Sequence, residues 1–177
     1  VDDRTSPVAA YETFRGALAR AEYDRAYATL SDPLRKKLGV RSRAEFKDGM
    51  IVLGDDIAAK ALARSKAKGP AQGLPDGRAM LPVRLRYLLF GRDVRLWLRP
   101  VAVVRVFVDG QKEPVFYDHL AAFELREEGG VVGVRLDPRL RAALEAEVRT
   151  GRVRRFEAGI EWFLDDFEVG DEGERKE

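Results

Sequence analysis

Cysteine is absent from the 177 residues and histidine occurs once. The first absence removes thiol catalysis, thiolate metal sites and disulfides; the second leaves any metal centre to carboxylates. The adjacent pairs Asp55-Asp56 and Asp165-Asp166 lack the spacing of a calcium loop, so no metal and no cofactor is expected. Long apolar runs are missing as well. Between Leu81 and Val108 the chain is interrupted by Arg84, Arg86, Arg92, Asp93, Arg95, Arg99 and Arg105. Nothing approaches the roughly 18–20 apolar residues that a membrane-crossing helix needs. An excess of one charge is also lacking: 32 Lys and Arg face 30 Asp and Glu, leaving +2. Nucleic-acid binders gather Lys and Arg on one face or tail. Here they are scattered, and the longest purely basic run is Arg35-Lys36-Lys37, so a nucleic-acid partner is not expected. The phosphate loops GxxxxGK[ST] and GxGxxG and the nucleophile elbow GxSxG do not occur.

What is present reads as one α+β domain over residues 1–177, with a charged tail at 170–177. Ser6-Pro7 is a helix start, and Val8, Tyr11, Phe14 and Leu18 follow on one helical face. Tyr23, Ala26, Tyr27 and Leu30 mark a second helical piece, and Asp32-Pro33 opens a turn that Gly39 can end. Ser42-Arg43-Ala44-Glu45 is a capping-box pattern ahead of Phe46 and Met50. The middle of the chain alternates as strands do: Leu81, Val83, Leu85, Tyr87 and Leu89 on one face, then Val94, Leu96 and Leu98. Pro100 is expected to interrupt or bend the strand there, because it has no ladder donor. Val101 to Val108 reads as a buried strand, Asp109-Gly110 as a hairpin turn, Val115 to Arg126 as a long strand, and Val131 to Leu136 as the next. Asp137-Pro138 opens a helix that Gly151 closes. The C-terminal extension over 137–169 is read as helical: Val153, Phe156, Ile160, Phe163 and Phe167 recur at threes and fours, although Ile160 to Leu164 can also alternate as a strand. Residues 57–68 fit either state, with helix preferred from their alanine-rich composition.

Two segments carry a resemblance. Val8-Ala9-Ala10-Tyr11-Glu12-Thr13-Phe14, Leu18, Glu22-Tyr23-Asp24-Arg25-Ala26-Tyr27 and Leu30-Ser31 resemble the opening helices of the nuclear-transport-factor-two-like superfamily, also called cystatin-like or ketosteroid-isomerase-like. Phe123 to Val134, with its Glu128-Gly129-Gly130 turn, is similar to that superfamily's last hairpin, with Val131 or Val132 in place of the usual Trp. The likeness covers residues 7–136. It implies N-terminal helices packed on a curved, cone-like antiparallel sheet, a first strand within 57–68, and sheet-to-sheet pairing of two copies. On this basis Leu81, Val83, Leu85, Val104, Val106, Phe123 and Leu125 are expected to face Tyr11, Phe14 and Leu18.

The resemblance also implies a cone with an open mouth, where some members hold Asp, His and Tyr for proton transfer. The corresponding candidates are Tyr117, Asp118 and His119. Alternation puts Tyr117 and His119 on one strand face and Asp118 on the other, so His119 is the candidate base and a hydrogen-bonded sheet-edge histidine is the plainer role. Trp97 between Arg95 and Arg99 is a candidate binding stripe for anionic or aromatic partners, or else a packed strand face with its arginine heads in water. Phe156, Ile160, Phe163 and Phe167 are a candidate interface, and a homodimer or another protein partner is expected; capping of the chain's own cone is the competing role. The functional expectation is a non-catalytic binding or assembly module. The non-Met start and the resemblance favour a bacterial cell envelope or periplasm over the cytoplasm. The competing expectations are a small-molecule isomerase or dehydratase using His119, and a carrier of an apolar ligand. The cone interior discriminates among them: convergent polar groups mark an enzyme, a continuous apolar lining a carrier, a filled cone an assembly role.

Overall fold

Local capping decides where the helices begin. In the computed structural model, which describes residues 3–53, 57–87, 90–112, 114–117, 121–125 and 131–170, the Ser6 hydroxyl accepts from Ala9 N at 3.1 Å and Pro7 opens α1 (Pro7–Ala19). α2 (Tyr23–Ala28) follows. Ser31 then caps α3 (Asp32–Lys37) by accepting from Leu34 N at 3.2 Å, and Gly39 ends the turn at φ 70°. α4 (Arg43–Leu53) begins with Ser42 Oγ accepting from Glu45 N at 3.1 Å, while the Glu45 carboxylate reaches back one residue further than a standard box, to Arg41 N at 2.7 Å. The alanine-rich run at 57–68 follows its propensity and forms α5 (Ile57–Ala63). The first strand implied there by the resemblance is reduced to the two residues of β1 (Lys66–Ala67).

The strands are β2 (Gln72–Gly73), β3 (Ala79–Tyr87), β4 (Phe90–Phe107), β5 (Val115–Tyr117), β6 (Ala121–Leu125), β7 (Val131–Leu136) and, after α6 (Pro138–Arg149), β8 (Arg155–Val169). β1, β2 and β4 pair with β3, β5 and β8 pair with β4, and β6 with β7 makes a separate two-stranded sheet. The fold is thus α+β, helices with a strongly curled antiparallel sheet, as the sequence predicts.

Two compact units divide the chain. The first gathers the described residues of Val1–Leu74, Arg78–Arg99 and Trp162–Glu177, the second those of Pro75–Gly77 and Pro100–Glu161. In the first, the β3–β4 hairpin sets Leu81 opposite Leu96, Val83 opposite Val94 and Ala79 opposite Leu98. These inward residues are 0–9% exposed, and most of them join Tyr11, Phe14, Leu30, Leu34 and Phe46 in one core. β8 is tied to the segment after α2, with Ser31 N donating to Leu164 O at 2.8 Å and Leu164 N to Thr29 O at 2.9 Å. In the second unit Val104, Val106, Leu136 and Val153 form the core, with Leu140, Leu144, Val148 and Phe156 packed on it.

Four expectations change. Residues 155–169 are a strand, not a helix; Glu161 and Asp165, which a helical reading leaves in water, are 6% and 5% exposed and paired with arginines of β4. β4 runs unbroken through Pro100, which falls between the stretch paired with β3, ending at Leu98, and the stretch paired with β5, starting at Val104, so the β3 and β5 ladders do not need its missing donor. The described residues of the expected strand from Val115 to Arg126 form β5 and β6, which lie in different sheets. Val104 and Val106 bury in the second unit's core rather than against α1, while Phe123 and Leu125 have side chains outside the described residues.

Candidate functional site

The first unit holds a cavity of about 310 Å³. Every helix of that unit but α2 contributes to its wall: Tyr11 and Phe14 from α1, Leu34 from α3, Phe46 and Met50 from α4, Leu62 from α5. The sheet side is closed by Val83 and Leu85, Val94 and Leu96, and Leu164, Phe167 and Val169. These positions converge because β3 and β4 alternate, turning one row inward while Arg84, Arg86, Arg95 and Arg99 point out and are exposed. Two lining residues, Leu38 and Val169, are 43% and 42% exposed, and they mark the mouth.

Among the described lining residues Tyr11 carries the sole side-chain N or O atom, and it is already committed. Ser65 Oγ donates to Leu62 O at 2.6 Å, so the Tyr11 hydroxyl donates to Ser65 Oγ, 2.5 Å away. Burial raises the Tyr11 hydroxyl above the ordinary tyrosine value. The unfolded chain therefore ionises first: this contribution to stability is complete below about pH 10 and is lost as pH rises through the higher folded value. Tyr11→Phe is expected to cost about 1 kcal/mol at neutral pH and to flatten the fall in thermal midpoint above about pH 10. An unchanged alkaline slope in that variant would contradict the assignment.

At the mouth, Lys37 Nζ donates to Asp166 Oδ1 and, at 3.2 Å, to Phe167 O, and it lies 4.8 Å from the centroid of the Phe167 ring. The hydrogen bond from Lys37 holds the Asp166 carboxyl below the usual range. A second charged node lies deeper. Asp165 accepts from Arg99 Nε and Nη2 at 2.9 and 3.2 Å and from Ser31 Oγ at 2.8 Å, with Arg78 at 3.5 Å.

The sequence candidates disperse. Arg99 is bound to Asp165, and Arg95 pairs with Glu168 at 3.1 Å while its guanidinium lies 5.8 Å from the ring of the half-buried Trp97. Phe156 belongs to the second unit's core and Phe167 to the first unit's cavity; Phe163 meets the Arg4 guanidinium at 5.0 Å, and Ile160 is half-buried. They do not form one helical stripe. Tyr117 ends β5 with its side chain outside the described residues, and Asp118 and His119 lie outside them altogether. Among the described residues no His, Asp and Glu cluster could hold a metal, and no helix is long and apolar enough to cross a membrane. Sequence reading missed the Tyr11–Ser65 bond, the Asp165 node and Lys37 at the mouth, since all three depend on contacts between segments remote in the chain.

The class defined by this fold and cavity is an α+β protein with an apolar hollow between its helices and its curled sheet. No protein-family model matches the chain, and no curated protein or solved structure matches it.

Proposed function

We propose that the chain is a non-catalytic binding module whose first unit receives an apolar small molecule. The observation that carries this reading is the cavity lining: apolar among its described residues except for one hydroxyl that is hydrogen-bonded and kept neutral. A proton-transfer site needs convergent titratable groups, and an apolar hollow of this size needs none. The resemblance of residues 7–136 to a superfamily with an open-mouthed cone supports the same reading.

Val94→Phe places a larger side chain into the hollow from a position that is 9% exposed and lines it. Titration with the neutral fluorescent probe N-phenyl-1-naphthylamine is expected to saturate at one probe per chain. The variant is expected to weaken binding at least about tenfold while retaining its thermal midpoint, because the added ring fills space instead of overpacking a dense core. Equal probe binding by both chains, or no binding by the parent, would sink the proposal.

A further inference from the structure

The geometry points to a single-chain carboxylate, an amphiphile with one anionic end and an unbranched tail, as the occupant of this cavity, with its head on Lys37. This rests on reading the cavity as a ligand site and adds the ligand's chemistry. Three observations lead there.

The described lining residues offer a ligand no free side-chain N–H or O–H donor, because the Tyr11 hydroxyl gives its hydrogen to Ser65. A ligand with polar atoms at both ends would leave one set unsatisfied in apolar surroundings, which is costly. The tail must therefore be apolar to its tip, and any polar group must stay at the mouth.

The mouth carries a cation with unused capacity. Lys37 is the last residue of α3 and precedes Leu38, one of the two exposed lining residues. Its side chain is 50% exposed and its ammonium lies over Phe167, a wall of the cavity. An ammonium has three hydrogens. Among the described residues its acceptors are Asp166 Oδ1 and Phe167 O, which leaves a third hydrogen for a ligand oxygen. A carboxylate can share Lys37 with Asp166, whereas a cationic head would meet the ammonium's repulsion.

The volume sets the tail. Ligand pockets run from about 300 to 1,000 Å³, and a hollow of about 310 Å³ lies at the small end of that range. That is room for one acyl chain of medium length and not for the two chains of a membrane lipid, so the source is a free fatty-acid-like molecule rather than a bilayer.

Isothermal titration calorimetry of the whole chain with decanoate, decanol and decyltrimethylammonium, each below its micelle concentration, tests this. Decanoate is expected to bind at one per chain and about fivefold more tightly than decanol, the size of a half-exposed charge pair. Decyltrimethylammonium is expected to be weaker than decanol. Lys37→Met should bring the decanoate-to-decanol affinity ratio to about one, and Lys37→Arg should retain the preference; the pair guards against a fold effect of losing the Asp166 contact. Equal binding of decanoate and decanol by the parent chain, or a preference that survives Lys37→Met, overturns the head-group assignment and leaves the apolar cavity standing. Failure of all three compounds to bind overturns both.

Discussion

Leu81→Ala is expected to lower the unfolding free energy by about 3–5 kcal/mol, and Leu85→Ala, two inward positions further along β3, by only about 1–2 kcal/mol. The side chains are chemically identical, so the difference comes from their surroundings. Leu81 is 0% exposed, faces Leu96 across the hairpin and belongs to the core that holds Tyr11 and Phe14. Truncation there removes a full set of dispersion contacts and opens a new void among residues fixed by two strands and a helix. Leu85 is half-buried and borders the hollow, so part of its surface already lacks partner atoms, and truncation enlarges an existing space. Urea unfolding at constant m-value measures both costs. If Leu85→Ala proves as expensive as Leu81→Ala, that side chain is packed on all sides and the hollow beside it is filled in solution.

Much of the fold was legible because single residues punctuate it. Ser6-Pro7, Ser42 with Glu45, and Asp137-Pro138 each sit at a helix start, where the physical need is one acceptor for an orphan amide, whereas Asp32-Pro33, read as opening a turn, begins the helix α3 that Ser31 caps. The β3 and β4 faces were legible because a half-buried strand alternates strictly. β8 was not, and the reason is arithmetic. Glu157, Glu161 and Asp165 are four apart, as are Phe156 and Ile160, and Phe163 and Phe167. Residues four apart share a helix face, but they also share a strand face, because four is even. The deciding information lies on another strand: as numbers rise along β4 through Arg95, Arg99 and Arg105, their partners on β8 fall through Glu168, Asp165, Glu161 and Glu157. That descending match is the signature of an antiparallel pair. The cavity was illegible for a different reason. Its wall residues carry the same periodic pattern as a filled core, and a hollow is a shortage of volume that no pattern of polarity records.

The charge match on β8 has its largest consequence at Asp165, where Arg99→Ala is expected to cost more than Asp165→Ala: about 2–4 against about 1–3 kcal/mol. The order follows from which charge each change leaves behind. The Asp165 side chain is 3% exposed, whereas those of Arg99 and Arg78 are 48% and 32% exposed. Removing the carboxylate leaves cations that water can reach, so its cost falls below that of breaking a fully buried pair. What remains is mainly the acceptor lost to the buried Ser31 hydroxyl, which also caps α3 by accepting from Leu34 N. Removing Arg99 instead strands a buried carboxylate that has lost two hydrogen bonds, with Arg78 at 3.5 Å and Ser31 at 2.8 Å as partial compensation. The double variant has neither the stranded charge nor the pair, so it is expected to be about as stable as Asp165→Ala alone, giving a coupling equal to the Arg99→Ala cost, about 2–4 kcal/mol, in a double-mutant cycle. Measured costs that simply add, or an Asp165→Ala penalty well above that of Arg99→Ala, would mean that the carboxylate is hydrated and that β8 does not bury it against β4.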